Sequence, residues 1–544
     1  MVKVNILLGG KAGQGINELA LFVADVLVKQ GYYVFNYRDY QSLIRGGHSF
    51  NVVSVSDKPI HIHDLDYDVI VAIDENTKKI HIKNLKSEGV LISDAEVKAN
   101  EIVRKNKLDK RVTNVVYASI LLRMLGVDKK VIVDEINERF AGKSLLNDDL
   151  KAAEFGYMIN AGSIKMPKIN NKKKYFMNGS EGVGVGAIVS GMDVYLSYPM
   201  TPSTGVLHYL ASKQMDYDYI VMHPENEISV ANASLGCAHT GARTFIGTAG
   251  GGYDLMTEAM SMQGMSEIPL TVYLAMRPGP GTGVPTYSTQ ADLHMALKSS
   301  HGEMPRVVVA PGDVVESIEL TNQAMYLAEK FRVLSIILSD KHLAESECTF
   351  DEIPNLIGIE SSVDGKKYGA KLYKNYEDTK EGYSKRSVPG LSIARSSSYE
   401  HDENGYTTEE PKSAKKSADK RLRKMESIKK DIKKFERIKV HGKKNSDKIV
   451  VSWGSTKGAI IDAVSELKDW KFLQILYLGP FPAEQVKKEL EKASKIVLVE
   501  ESSTGIIGDI IREKTGIEIN NKILKYDGRV FTKDELVGEL GEIR

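Results

Sequence analysis

Four short runs carry side chains able to grip a carboxylate and move a proton. In Tyr198-Pro-Met-Thr-Pro-Ser-Thr204, Thr201 sits between two prolines, and a proline drives the residue before it into extended backbone. The hydroxyl is therefore presented from a stiffened turn between a strand-like segment, Asp193–Ser197, and a helix-like one, Val206–Ala211. Ser203 or Thr204 is expected to cap that helix, whose first free N–H groups attract an anion. Arg277 ends an apolar run and opens the loop Pro278-Gly-Pro-Gly-Thr-Gly-Val-Pro-Thr286. Its planar fork can make two parallel charge-assisted hydrogen bonds to a carboxylate. Glu225 and Glu227 precede a stretch of small residues (Ala231, Ala233, Ser234, Gly236, Ala238), where a buried acid is costly unless it has a partner. Thr248-Ala-Gly-Gly-Gly-Tyr253 joins a strand over Thr244–Gly247 to a helix over Leu255–Met262. The backbone at Gly250 and Gly251 can approach a ligand closely, although glycines also simply permit a sharp turn. Read one by one, the same residues fit a Pro-rich turn and a surface ion pair.

The elements that must position these residues follow an α/β pattern. From 1 to 165, β-branched runs (Val2–Leu8, Tyr33–Asn36, Val69–Ala72, Gly89–Ile92) alternate with helix-like stretches, predicting a parallel sheet. A basic linker at 165–174 leads to a second α/β unit over 178–345. Residues 346–445 form an excursion, first loop-heavy and then an amphipathic helix over 412–440. In that helix Leu422, Met425, Ile428, Ile432, Phe435 and Ile438 recur at helical spacing among lysines; the basic face is expected to be solvated, with docking of an acidic protein as the alternative. A third α/β unit spans 446–544 and opens on Lys448–Trp453.

Composition narrows the function. With 544 residues the chain needs several cores. Lysine plus arginine number 73 against 72 acids, so the overall charge points to neither nucleic acid nor an anionic membrane. No apolar run approaches the ~20 residues of a membrane span, and the N-terminal strand is too short for a signal peptide. A cytoplasmic protein is expected. Cys237 and Cys348 are the only cysteines, too few for the four thiolates of an iron–sulfur cluster. Any cluster chemistry must sit on another subunit.

A second glycine-rich run, Gly9-Gly-Lys-Ala-Gly-Gln-Gly15, follows the first strand and precedes a helix over Ile16–Lys29. It is neither a P-loop nor a GxGxxG fingerprint, because the lysine has no Ser or Thr after it. A plain strand-to-helix turn and a phosphate cradle remain equally open.

Together, YPMTPST, NEISVANASLGCAHTGAR, TAGGGYDLM, RPGPGTGVPTYSTQADL and HGEMPRVVVAPGD occur in the order found in 2-oxoacid:ferredoxin oxidoreductases. The chain resembles their α subunit with the γ domain fused in front: GGKAGQG and RDYQSLIRGGHSFNVVSVSDKPI resemble the γ part, and the segment from 448 resembles a transketolase-C-terminal-like domain. Met200 stands where the family usually has isoleucine. The resemblance implies three α/β domains: a γ-like domain, a thiamine diphosphate pyrimidine-side domain and the C-terminal one. It implies coenzyme A- and thiamine diphosphate-dependent oxidative decarboxylation of a 2-oxoacid, with electrons passed to ferredoxin. 2-Oxoglutarate is the preferred substrate, and pyruvate or a broad range of 2-oxoacids the alternative. By the family pattern Glu227 hydrogen-bonds the aminopyrimidine ring, with Glu225 as second choice; Thr201 and Arg277 hold the substrate carboxylate; Thr286 matches a position of substrate recognition. Arg38 and Arg45 are candidates for a coenzyme A phosphate. The diphosphate signature is missing: Gly508-Asp509-Ile510 followed by Asn520 lacks the last glycine and the spacing. A β subunit carrying Mg²⁺, the diphosphate site and a [4Fe-4S] cluster is therefore implied. The reading from another class is a nucleotide-binding scaffold without redox activity.

Overall fold

The structure, a computed structural model, describes residues 2–43, 46–169 and 174–543. The chain forms two compact units, one built on Met1–Met177 with Ser346–Glu352 and Thr532–Glu535, the other on Asn178–Glu345, Ile353–Phe531 and Leu536–Arg544. The fold is α/β throughout, on three sheets.

The first unit holds a seven-stranded sheet in the order Leu85–Ser93, Tyr67–Ala72, Lys3–Lys11, His48–Ser56, Tyr33–Tyr40, Glu347–Phe350, Tyr175–Asn178. The alternation predicts a parallel sheet, but the sheet is mixed. Lys3–Lys11 runs parallel to Tyr67–Ala72 and antiparallel to His48–Ser56, which in turn is antiparallel to Tyr33–Tyr40. The connection over 41–47 is too short for the crossover a parallel pair requires, so these strands fold as a hairpin. The helix Ile16–Lys29 follows the glycine run as its pattern predicts, and buries Leu19, Val23 and Leu27 against the sheet.

In the second unit a central sheet is ordered Tyr477–Gly479, Arg306–Val309, Leu334–Asp340, Leu270–Met276, Thr244–Thr248, Val194–Ser197, Ile220–Met222. All pairs are parallel except the one made by Tyr477–Gly479. Every residue of Leu270–Met276 and Leu334–Asp340 is buried, as expected for strands covered on both faces. Four adjacent parallel strands thus end on one edge, and the segments leaving them carry YPMTPST, HPENE, AGGG and RPGPG. The carboxyl edge of an open α/β sheet is where ligands bind.

The remaining sheet runs Ile438–Gly442, Trp470–Ile475, Lys448–Trp453, Lys495–Glu500, Asn521–Leu524. The loop of Arg277 is fastened to it. Gln290 Nε2 donates to the Trp453 carbonyl at 2.7 Å, Gln290 N donates to the Glu501 carbonyl at 2.7 Å, and Glu501 N donates to Gln290 Oε1 at 2.8 Å.

Two expectations for 412–440 change. The helix covers Pro411–Asp431, and Ile438 begins a strand instead. Nor is its basic face simply solvated. Lys420 and Lys424 are buried with Ile428, and both lysines bind the carboxylate of buried Glu267. Burial opposes ionisation of Glu267, but Lys424, Lys420 and Arg332 outweigh it and hold the carboxyl below its ordinary range. A lysine read from sequence as a solvated charge is here the partner of an acid at the far end of another helix.

Candidate functional site

Strand ends place the runs, and three glycines join them. The helix predicted from Leu255 in fact begins earlier, at Gly250, and runs to Ser266. Gly250, Gly251 and Gly252 therefore form its first turn, where backbone N–H groups have no partner within the helix. Ala249 precedes it in extended backbone, with no side-chain cap. A methyl group added at Gly252 would lie 2.7 Å from Glu227 Oε1, and one at Gly250 would lie 2.5 Å from Asp292 Oδ2. At Gly251 the nearest atom is the Gly281 carbonyl oxygen of the arginine loop, 4.0 Å away. The glycine turn is thus flanked by two carboxylates, with the space at Gly251 open between them.

Glu227 is the first residue of the helix Glu227–His239, whose start is capped by Asn226 accepting from Ser229 N at 2.9 Å. The residue is only 4% exposed, and its Oε1 has no hydrogen-bond partner among the described residues. A buried carboxylate oxygen without such a partner is able to accept a further hydrogen bond. Glu225, the other acid of the run, is exposed and bonded to its neighbour Ser229, which lowers its pKa. It has no place in this cluster.

Arg277 Nη1 donates to the Thr201 carbonyl at 2.8 Å, locking the two loops together. Burial lowers the proton affinity of the guanidinium, while Asp292 and Glu227 act in the opposite sense. Thr201, Glu227, Arg277 and the glycine turn are therefore brought together. Ser203 does not cap the following helix: its hydroxyl donates to the Met200 carbonyl at 2.8 Å, and Thr204 N donates to the same carbonyl at 3.2 Å. That helix start is closed by its own turn. Thr286 is buried, and its hydroxyl has no hydrogen-bond partner among the described residues. It makes no hydrogen bond to Arg277 or Thr201.

Asp292 and Gly252 are the members of the cluster that the sequence reading missed. Asp292 stands before the helix Leu293–Lys298 without capping it, so nothing in the TQADL run distinguishes it from an ordinary cap. Gly252 is one of three like residues, and only packing shows which of them borders which acid.

Gly508 and Asp509 lie in the first turns of the helix Ile506–Thr515, with Asp509 exposed. Their surroundings are those of a helix start, not a diphosphate cradle. In the first unit, the turn after Lys3–Lys11 has Gly13 and Gly15 at φ of 92° and 71°, a region glycine enters without strain. Asn114 Nδ2 pins it by donating to the Gln14 carbonyl at 2.8 Å. A cavity of about 1090 Å³ opens beside it, and its basic lining residues are Lys110, Arg111, Arg139 and Lys143. Arg38 is not among them and stacks over Tyr40; Arg45 lies outside the described residues.

The segment 185–420 matches the family described as pyruvate flavodoxin/ferredoxin oxidoreductase, thiamine diphosphate-binding, and 5–159 matches the family described as pyruvate ferredoxin/flavodoxin oxidoreductase. Both matches are to ferredoxin-linked oxidoreductase families, and the one that spans the site region is described as thiamine diphosphate-binding. The 2-oxoacid:ferredoxin oxidoreductase subunit alpha of a Sulfolobus species is 27% identical over 606 aligned positions, covering 98% of this chain and 96% of that protein. The 2-oxoglutarate synthase subunit KorA of Methanocaldococcus jannaschii is 29% identical, over 68% of this chain and 96% of its own length. The structure of 2-oxoglutarate:ferredoxin oxidoreductase from Magnetococcus marinus, with 2-oxoglutarate, coenzyme A and succinyl-CoA bound, superposes over the whole chain with a TM-score of 0.90 at 24% identity, a likeness of fold. Over nearly its whole length the chain is thus similar to 2-oxoacid:ferredoxin oxidoreductase α subunits, and the two family matches agree with that likeness.

Proposed function

We propose that this chain is the γ–α subunit of an enzyme that oxidatively decarboxylates a 2-oxoacid, 2-oxoglutarate by preference, transferring the acyl group to coenzyme A and electrons to ferredoxin. The observation that carries the reading is the convergence of Glu227, Arg277 and Thr201 at one sheet edge, with Glu227 Oε1 buried and unpartnered. That orphan atom, the open space at Gly251 and the free N–H groups of the glycine turn fit the aminopyrimidine end of thiamine diphosphate. When bound, the cofactor supplies the nucleophile for the 2-oxo carbon and the sink for the electron pair released with CO₂. Glu227 Oε1 hydrogen-bonds the ring it faces and so sets the protonation of that ring. Arg277, steadied by the Thr201 carbonyl, grips the substrate carboxylate together with the Thr201 hydroxyl. The unpartnered hydroxyl of Thr286 contacts the remainder of the substrate.

The Mg²⁺–diphosphate site and a [4Fe-4S] cluster belong to a β partner. Two observations support this: the chain has only two cysteines, and the helices Glu227–His239 and Gly250–Ser266 expose Ile228 (50%) and Leu255 (52%) close to the site. Exposed apolar side chains beside an incomplete active site suit a docked subunit. Within the chain, 1–165 serves as the γ-like domain, 178–345 as the pyrimidine-side domain, 346–445 as the connecting excursion and 446–544 as the C-terminal domain. No helix among the described residues is long and apolar enough to cross a membrane, and the complex works in the cytoplasm. The test is to copurify the partner and follow 2-oxoacid- and coenzyme A-dependent reduction of a low-potential dye. A complex that binds nucleotides yet reduces nothing would favour the scaffold reading instead.

A further inference from the structure

Asp292 is an acid without an evident structural task. It occupies the N-cap position of Leu293–Lys298 but makes no capping bond. Its Oδ2 is buried, has no hydrogen-bond partner among the described residues, and abuts the glycine turn at Gly250, where Glu227 abuts it at Gly252. The charged groups facing it are Asp254, on the helix Gly250–Ser266, and Arg277, at the end of the central strand. Arg277 thus feels two carboxylates, Asp292 and Glu227, and its single positive charge is shared between them and any incoming anion.

The charge of the substrate changes in a defined direction. A carboxylate enters, and neutral CO₂ leaves with the bonding electron pair left behind on the reacting carbon. A residue that weakens the hold on the carboxylate destabilises the bound ground state more than the transition state, in which that charge is already leaving; such a residue raises turnover at the expense of affinity. We propose that Asp292 is a charge-balancing residue that loosens the grip of Arg277 on the substrate carboxylate and so speeds its loss. The inference rests on the functional reading above and adds to it a specific residue and sign. Burial, reinforced by Asp254 and opposed by Arg277, pushes the Asp292 carboxyl up to about 6. Around neutral pH it is ionised and acts as described; below that value it is protonated and the grip tightens.

The experiment uses the purified αβ complex with 2-oxoglutarate and measures kcat and KM from pH 5.5 to 8.5 for the native chain, Asp292→Asn and Asp292→Ser. In the native complex KM should rise as pH passes through about 6, with kcat rising alongside. Both variants should hold KM roughly 5- to 10-fold lower at pH 7.5, lose the acid-limb dependence of KM, and lower kcat by a similar factor, leaving kcat/KM nearly unchanged. The dissociation constant of 2-oxoglutarate on the thiamine diphosphate-depleted complex should fall in the same proportion. A higher KM in both variants would overturn the proposal, because it would mean that Asp292 orients Arg277 rather than opposing it. Unchanged kinetics and binding would overturn it as well. A native complex inert toward every 2-oxoacid would instead sink the functional reading itself, and Asp292 with it.

Discussion

Gly252→Ala is the sharpest structural perturbation of the site, because a single methyl group is aimed at Glu227, the side chain proposed to face the cofactor ring. The added carbon would lie 2.8 Å from Glu227 Cγ, 2.7 Å from Glu227 Oε1 and 2.3 Å from Thr248 Oγ1. Relaxed carbon contacts are ~3.5 Å, so Glu227 must retreat by roughly 0.7 Å. Catalytic groups misplaced by about 1 Å lose on the order of 100-fold in rate, and a drop in kcat of about 10- to 100-fold is expected here. Overpacking should also cost about 1–3 kcal/mol of stability. Gly251→Ala makes the contrast: its methyl meets nothing closer than the Gly281 carbonyl oxygen at 4.0 Å, and alanine favours a helix over glycine by ~1 kcal/mol. That variant should fold at least as well as the native chain yet bind thiamine diphosphate more weakly, since its methyl fills the space left for the ring. The assay is dye reduction by the αβ complex, alongside calorimetric cofactor binding and thermal unfolding. Native kcat in Gly252→Ala, with the fold and cofactor retained, would refute the placement of Glu227.

The other predictions concern the anion grip, a buried ion cluster and pH. Arg277→Ala removes the guanidinium that ties Thr201 in place and forfeits hydrogen bonds worth ~1.5–3 kcal/mol each to a charged partner; steady-state kinetics should show KM for the 2-oxoacid raised at least ~10-fold, and an unchanged KM would exclude it from carboxylate binding. Glu267→Ala strands Lys420 and Lys424 in the interior, and denaturant unfolding should register a loss of about 3–5 kcal/mol; a loss below ~1 kcal/mol would mean that the lysines escape to solvent. Glu500 is fully buried, and despite bonds from Trp453 and Ser502 burial raises its carboxyl to about 7. The folded chain binds this proton more tightly than the unfolded one, so the contribution to stability is complete at acid pH and is lost as pH rises through about 7. The loss amounts to roughly 3 kcal/mol. Unfolding temperatures from pH 5 to 9 should fall less steeply for Glu500→Gln; parallel curves would argue against the buried proton.

Much of this architecture was legible in the sequence, because local chemistry decides it. The helix Ile16–Lys29 and the strands leading to Thr201 and Arg277 followed from apolar runs punctuated by proline and glycine. The paired strands Tyr33–Tyr40 and His48–Ser56 were harder, since their direction depends on connection length and not on pattern. The glycine run misled by the opposite route: helix breakers in isolation, Gly250 to Gly252 begin a helix, and a larger side chain would collide with Asp292 at Gly250 and with Glu227 and Thr248 at Gly252. Lys420 and Lys424 illustrate the general limit. Their partner Glu267 is far away in sequence, and a lysine on a helix carries no mark that says whether an acid awaits it.

The central claim is that the cofactor is held jointly, its ring end by Glu227 on this chain and its metal-bound end by a companion. Titrating thiamine diphosphate with Mg²⁺ into the isolated chain, the isolated partner and their complex tests this most directly. Tight binding should appear only in the complex and should weaken sharply when Glu227 is replaced by alanine. Tight binding to the isolated chain, or a complex indifferent to that replacement, would contradict it.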